Sequence, residues 1–262
     1  MKKNVLLKIE YDGSNFHGWQ RQDGLRTVQG EVERALAIVC GKDITIEGTG
    51  RTDAGVHALG QCASFCEEFG IPVERIPLAV NNILAGGRTG AGSRVSDVRI
   101  IEAKEVPEGF HARFSCVGKT YRYVISTGAV DIFRRNYCYF VGKKLCIEDM
   151  KRAAEFIEGT QDFVCFQSSG ATPKLTTVRT IYSIDIKEEG ETITIDVTGD
   201  GFLYNMVRII VGTLVEVGLG RRKPESLKDT IRSKDRKTAG HTAPAEGLYM
   251  SKIYFSEEEM RK

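Results

Sequence analysis

The sequence lacks paired cysteines, and it has little proline. Of its 262 residues 6 are Pro and 28 are Gly, while 41% are hydrophobic and 27% are charged, so disordered, low-complexity and collagen-like classes are excluded. The seven cysteines contain no C-x-x-C pair, which argues against both a disulfide framework and a zinc ribbon. We therefore expect free thiols in a reducing cytoplasm.

Long apolar runs are also absent. The most apolar stretch, residues 206–217, contains Arg208 and Glu216 and is too short to cross a bilayer. The apolar run that follows the first two lysines ends at Lys8, so we expect no signal peptide. The formal net charge is only +2, which by itself indicates no particular partner. These features favour a cytoplasmic protein without membrane contacts.

The common cofactor and nucleophile motifs are missing. Neither a phosphate-binding loop nor a dinucleotide fingerprint has its glycines at the required spacing, and no G-x-S-x-G elbow occurs. The four histidines are far apart in the chain, so no local cluster suggests a metal site. We expect neither a metal ion nor an organic cofactor.

Hydrophobic periodicity divides the chain into two α+β halves. We predict an N-terminal domain over 1–107 and a C-terminal domain over 108–262, each a ferredoxin-like antiparallel sheet flanked by helices. The predicted elements of the first half are a strand at 5–11, a helix at 28–39, strands at 44–49 and 61–65, a helix at 73–84 and a strand at 95–106. Those of the second half are a strand at 120–126, a helix at 147–157, a hairpin of 178–187 and 191–198, helices at 205–217 and 225–233, and a strand at 248–255.

One glycine-bounded loop carries a candidate catalytic group. Asp53 lies between Gly50 and Gly55, with Arg51 two residues before it. Glycine lets the backbone approach a ligand, a carboxylate can act as nucleophile or base, and an arginine can keep that carboxylate ionised. An aspartate that stabilises a turn explains the same residues, so the residue types alone leave both interpretations open.

Basic residues are concentrated in two segments. Residues 112–144 contain seven basic residues and a single acidic one, with seven aromatic residues between the charges. This pattern is typical of binding to unpaired RNA, but a packed pair of Tyr121 and Tyr123 opposite a solvated Arg122 explains part of it equally well. A second basic group at 221–237 is accounted for by a solvated helix surface.

Arg208 is unusual because it lies in an apolar helix. A buried guanidinium must find a carboxylate, a phosphate or water. Structural ion pairing is the simpler explanation, whereas pairing with Asp53 would join the two halves at one site.

Taken together, these motifs resemble those of the tRNA pseudouridine synthase A family over nearly the whole chain. The segments that carry the resemblance occur in the family's order. They are 11–13 (YDG), 18–22 (GWQRQ), 27–29 (TVQ), 50–57 (GRTDAGVH), 110–115 (FHARFS), 121–123 (YRY), 159–166 (GTQDFVCF), 206–208 (MVR) with Gly212, and 245–248 (AEGL).

The resemblance implies a role for each candidate residue. Asp53 would be the catalytic aspartate, Tyr121 would pack on the target base, and Arg51 and Arg208 would be supporting cations. Family members convert uridines at positions 38, 39 and 40, in the anticodon stem-loop of tRNA, to pseudouridine without a cofactor. They act as homodimers in which one tRNA contacts both subunits, and the active-site cleft lies between the two halves.

The sequence departs from the family pattern at one segment, and two alternative functions remain open. The glycine-rich residues 85–94 resemble a loop insertion where the family has a short turn, which affects local RNA contacts. A non-catalytic tRNA-binding or chaperone protein would use the same basic surface. A nucleoside hydrolase would require a second carboxylate near Asp53, and the spacing identifies none.

Overall fold

The computed structural model describes residues 2–86, 96–170 and 176–260. They form two compact units, Met1–Val117 with Met250–Lys262, and Gly118–Tyr249. Within the described ranges, no helix is both long and apolar enough to cross a membrane. From position 87 onward, the predicted insertion at 85–94 lies outside the described residues.

The first unit is a mixed α+β structure, with strands and helices numbered in chain order through both units. Its elements are β1 (Lys3–Tyr11), α1 (Val28–Cys40), β2 (Glu47–Gly48), β3 (His57–Glu67), α2 (Ile76–Leu84), β4 (Val98–Glu105), α6 (Glu257–Met260) and, from Met250 onward, β10 (Leu248–Tyr254). The strand order is β4-β1-β3-β10, and the short β2 pairs with β3. β1 is antiparallel to both neighbours, so that Leu7 lies opposite Ala63 on β3 and Ala103 on β4.

Local sequence explains the first strand and the first helix. β1 is buried along most of its length because it has a strand on each side. α1 begins after Thr27, whose side chain accepts a hydrogen bond from the backbone N–H of Gly30. It ends at Gly41, which has the left-handed φ of 73° that glycine adopts without strain.

The second unit is built around a four-stranded antiparallel ladder. Its elements are β5 (Gly118–Ser126), β6 (Tyr139–Phe140), α3 (Ile147–Glu155), β7 (Gly159–Asp162), β8 (Val178–Glu189), β9 (Thr192–Gly199), α4 (Met206–Gly218) and α5 (Ser226–Ser233). The order is β5-β9-β8-β7, and β6 runs parallel beside β5. Nearly all of α4 is buried, which explains why its sequence is apolar almost all round.

The compact units differ from the boundary predicted at 107/108. The side-chain amide of Asn4 donates to the carbonyl oxygens of Pro107 and Phe110, each at 2.8 Å. The backbone N–H of Ala112 donates to the hydroxyl of Ser64 at 2.9 Å. These bonds hold residues beyond 107 against β1 and β3, and β10 returns to lie beside β3.

The predicted α+β class with mostly antiparallel strands and flanking helices is confirmed, and every predicted helix is present. The strand predicted at 44–49 is wrong in length, since only Glu47–Gly48 pairs with β3. Its backbone hydrogen bonds go elsewhere: the N–H of Ile46 donates to Glu33, and the C=O of Ile46 accepts from Gln29, each at 3.0 Å. Two short strands, β6 and β7, were not predicted.

Candidate active site

The aspartate loop, residues 50–56, connects β2 to β3 in the first unit. Asp53 is half-buried, and its carbonyl oxygen accepts from the N–H of Val56 at 3.2 Å. Gly55 within this turn has φ 79°. The loop therefore has a defined turn at its centre that fixes the backbone on either side of the Asp53 carboxylate.

The backbone of the aspartate loop is held by the segment that follows β1. The N–H of Trp19 donates to the carbonyl oxygen of Thr52 at 3.0 Å. The hydroxyls of Thr52 and Tyr11 are hydrogen-bonded at 2.7 Å in a buried position, and burial raises the pKa of Tyr11, so that this tyrosine remains protonated. A Cβ atom on Gly13 would lie 2.0 Å from the carbonyl oxygen of Val56. The glycine of the YDG segment is therefore required by the close approach of this loop.

His57, at the end of the loop, is a structural residue. Its Nδ1 accepts a hydrogen bond from the N–H of Gly13 at 3.0 Å and lies 3.2 Å from a carboxylate oxygen of Asp12. His57 is 2% exposed, and it ties the start of β3 to the end of β1.

Arg51 is exposed, and its guanidinium is oriented by a glutamine. Its Nε donates to Oε1 of Gln20 at 2.9 Å. Gln20 belongs to the GWQRQ segment, which also carries the backbone bond between Trp19 and the loop. The structure therefore explains this motif as the support of both the backbone and the arginine of the aspartate loop.

Tyr121 and Tyr123 lie on one buried face of β5 in the second unit, as the alternation predicts. Tyr121 is 8% exposed, and its ring packs edge-on against Phe202 with 5.2 Å between centroids. The hydroxyl of Tyr123 donates to the carbonyl oxygen of Pro244 at 2.7 Å, and burial raises its pKa well above the usual value. A Cβ atom on Gly247 would lie 2.6 Å from the Tyr123 ring, which explains the glycine of the AEGL segment.

Arg122, on the opposite face of β5, forms an ion pair. Its Nε and terminal nitrogen donate to the two carboxylate oxygens of Asp196 at 2.8 and 2.7 Å. Its side chain is nevertheless 41% exposed, so the predicted solvated arginine opposite the aromatic pair is confirmed. The packed aromatic pair accounts for Tyr121 and Tyr123, whereas Phe114 and Phe133 are 79% and 85% exposed.

Arg208 lies in the first turn of α4. Its Nε donates to the carbonyl oxygen of Ala243 at 2.7 Å, and a terminal nitrogen donates to Oδ1 of Asn205 at 2.8 Å. Asn205 has a left-handed φ of 59°, a conformation that asparagine tolerates better than most residues. Two neutral oxygens within the second unit thus orient the guanidinium, which the sequence did not predict.

Two arginines of the second basic group support the fold. Arg222 donates to the carbonyl oxygen of Thr238 at 2.7 Å and forms an ion pair with Glu216 at 3.3 Å. Arg236 donates to the carbonyl oxygen of Gly240 at 2.8 Å. The prediction of a solvated helix surface is wrong for these two residues, because both arginines bond the backbone of the turn before residue 243.

A family model described as tRNA pseudouridine synthase matches residues 8–115 and 153–256, which lie in both units. The chain belongs to this family. A protein named tRNA pseudouridine synthase A from Acetivibrio thermocellus is 46% identical over 254 residues, covering 97% of this chain and 100% of the relative. The protein of that name from Bacillus subtilis is 44% identical over 250 residues, covering 94% and 97%. One named tRNA pseudouridine synthase A 2 from Clostridium tetani is 45% identical over 259 residues, covering 98% and 100%.

Membership in the tRNA pseudouridine synthase family confirms the resemblance stated from the motifs. The structure places Asp53 and Arg51 in the first unit, and Tyr121 and Arg208 in the second. Gln20 and Asn205 stand in the sequence only as parts of a motif and of a predicted helix, and no role is predicted for either. A polar side chain within a motif, next to a candidate residue, is the signal that could have singled them out.

Proposed function

We propose that this pseudouridine synthase isomerises uridine to pseudouridine in tRNA, at positions 38, 39 and 40 of the anticodon stem-loop. The observation that carries the proposal is the family match over segments of both units, together with the aspartate loop that the matched residues hold in place. The relatives are named tRNA pseudouridine synthase A, and they align with almost the whole chain.

The reaction needs few chemical groups because the product is an isomer of the substrate. The bond between N1 and C1′ breaks, the detached base turns, and a bond forms between C5 and C1′, while the hydrogen on C5 leaves as a proton and N1 gains one. A single ionised carboxylate can attack C1′, attack the base or remove a sugar proton. All three routes lead to pseudouridine, and we assign the step to Asp53 without choosing among them.

The other candidate residues serve binding and orientation in this proposal. The target base must leave its stack, which costs a few kcal/mol, and Arg51 offsets part of that cost by taking its place or by holding phosphates. Tyr121 packs on the freed base while it turns, and its hydroxyl assists proton movement at C5. Arg208 is the second supporting cation in this proposal.

We further propose that the protein acts in the cytoplasm as a homodimer, with one tRNA contacting both subunits. Family membership supports this proposal, and so do the seven cysteines, none of which forms a disulfide. Light scattering of the purified protein with and without tRNA tests it. A mass equal to one chain without tRNA, and to one chain plus one tRNA in the complex, would contradict the homodimer.

The function is tested with tRNA that carries tritium at C5 of uridine. Wild type should release tritium, with the modified sites mapped to positions 38, 39 and 40, and without free uracil. Asp53→Ala and the isosteric Asp53→Asn should bind tRNA but release no tritium. Binding without release by wild type would favour the non-catalytic tRNA-binding alternative, whereas free uracil would show a hydrolase.

A further inference from the structure

A chain of hydrogen bonds runs from a buried carboxylate to Arg51. Glu33 on α1 is 5% exposed, and its Oε1 accepts from Nε2 of Gln29 at 3.0 Å. Oε1 of Gln29 accepts from Nε2 of Gln20 at 2.9 Å. Oε1 of Gln20 in turn accepts from Nε of Arg51 at 2.9 Å. Three side chains thus connect the buried face of α1 to the aspartate loop.

The direction of every bond in this chain is fixed by its ends. A carboxylate only accepts, so Gln29 must turn its amide nitrogen toward Glu33. The N–H of Arg21 donates to Oε1 of Gln29 at 3.0 Å, which fixes the same orientation independently. A guanidinium only donates, so Gln20 must turn its oxygen toward Arg51. Neither amide can flip without placing two donors or two acceptors against each other.

The charge at the buried end is balanced within the first unit. A terminal nitrogen of Arg21 forms an ion pair with Oε2 of Glu33 at 2.9 Å. The N–H of Ile46 donates to Oε1 of the same carboxylate at 3.0 Å. These donors therefore stabilise the buried carboxylate of Glu33. Hydrogen bonds that are linked in a series polarise one another.

We propose that Glu33, Gln29 and Gln20 form a directional relay that positions the Arg51 guanidinium, and that Gln20 is a positioning residue for the isomerisation. The proposal rests on the role assigned to Arg51 under Proposed function. An exposed arginine has many rotamers, and holding its Nε leaves only the terminal nitrogens to meet substrate. Restricting a long side chain before binding reduces the ordering cost of the reactive complex.

A direct test measures the orientation of Arg51 without any reaction. In wild type, the Nε–Hε group of Arg51 should give a distinct, slowly exchanging NMR resonance, assigned by its loss in Arg51→Lys. Gln20→Leu removes the acceptor and should shift this resonance and speed its exchange about tenfold or more. Gln22→Leu is the matched control, because Gln22 is an exposed glutamine of the same segment whose amide donates to the carbonyl oxygen of His17. An unchanged Arg51 resonance in Gln20→Leu would overturn the relay.

The kinetic test separates positioning from folding. Gln20→Leu should lower kcat about tenfold, with the tRNA dissociation constant changed less than twofold and with an unchanged thermal midpoint. Gln20→Glu keeps an acceptor for Arg51 but places a carboxylate oxygen against Oε1 of Gln29, so it should recover only part of that loss. In an Arg51→Ala background, Gln20→Leu should cause no further loss, because a residue that acts through Arg51 has nothing left to position. Two results would contradict the proposal. One is a loss of kcat on Gln20→Leu that is as large in the Arg51→Ala background as in wild type, and the other is a loss in Gln20→Leu no larger than that in Gln22→Leu.

The two proposals fail in different ways. Absence of tritium release by wild type would refute the proposed function and leave the NMR result to decide whether the relay exists. Normal release by wild type together with normal release by Gln20→Leu would refute the positioning role alone.

Discussion

The carbonyl oxygen of Thr52 lies 2.6 Å from the position that a Cβ atom would take on Gly18. Gly18 also has φ 84°, a backbone conformation that residues other than glycine rarely adopt. The next residue, Trp19, donates its N–H to that same carbonyl oxygen. The backbone on one side of Asp53 is therefore packed directly against the backbone of a second segment, with no side chain between them.

Gly18→Ala should be strongly destabilising because it combines a strained φ with a backbone clash. We expect a loss of about 2–4 kcal/mol in the free energy of unfolding, and a lower rate in the tritium assay at saturating tRNA. Urea unfolding measures the first quantity. Gly24→Ala is the matched control, since Gly24 has φ 73° but nothing within 4 Å of its Cβ position, and it should lose only about 1 kcal/mol. Equal losses in the two variants would show that the contact with Thr52 is unimportant.

Arg208 should be replaceable by lysine only in part. Its fork bonds two oxygens at once, those of Ala243 and Asn205, and a lysine ammonium on a flexible stem cannot hold both in the same geometry. We expect Arg208→Lys to lower kcat about tenfold and Arg208→Ala about a hundredfold, with both proteins folded by circular dichroism. Arg222→Lys is the control for a half-buried arginine and should retain the wild-type kcat. Intact, equal activity of both Arg208 variants would remove this residue from the site.

The Arg122–Asp196 pair should contribute nothing to phosphate binding. Each cation that meets a phosphate of RNA adds about 0.7–0.9 to the slope of log Kd against log salt. The double variant Arg122→Gln, Asp196→Asn removes equal and opposite charges and should leave this slope at its wild-type value. Lys143→Gln with Lys144→Gln removes two exposed cations and should reduce the slope by about 1–2. Filter binding between low and moderate salt measures both, and a reduced slope in the Arg122 double variant would show that the pair opens on RNA.

Alkaline pH should destabilise the first unit through Cys62. Burial raises the pKa of this thiol to about 12 from an ordinary 9.0. The folded state therefore retains a proton that the unfolded state loses above pH 9, so this contribution to stability is complete below pH 9 and falls as the pH rises toward 12. The slope reaches about 1.4 kcal/mol per pH unit.

Between pH 8 and about 10.5, the free energy of unfolding of Cys62→Ala, measured with urea, should fall less steeply with pH than that of wild type. Cys66→Ala is the control, because Cys66 is exposed, and its pH profile should match that of wild type. Identical profiles for wild type and Cys62→Ala would refute the assignment.

Features set by local repetition were predictable from the sequence. The common face of Tyr121 and Tyr123 follows from the period of a strand, and the start of α1 follows from Thr27. The length of the strand predicted at 44–49 was not predictable. The strand is shortened by Gln29 and Glu33, which lie 17 and 13 residues from Ile46 in the chain. Their side chains bond the backbone C=O and N–H of Ile46.

Some features of the candidate site could likewise be predicted from the sequence, and others could not. Asp53 and Arg51 can be singled out as candidates because a glycine-bounded loop with two opposite charges is a local pattern. The partners of Arg208 were not predicted, since they depend on the left-handed backbone of Asn205 and on a loop more than thirty residues away. The relay from Glu33 was equally hidden, because the orientation of two amides is decided by contacts among three separate segments.

The position of β10 has a consequence for the order of events during synthesis. β10 lies beside β3 in the first unit, although it is translated only after nearly all of the second unit. Until then the edge of β3 that β10 will cover is unpaired, and an open strand edge invites pairing with other chains. The N-terminal unit of a nascent chain therefore cannot complete its sheet as it leaves the ribosome. It must wait for β10, so the maturation of this unit depends on a late step of synthesis.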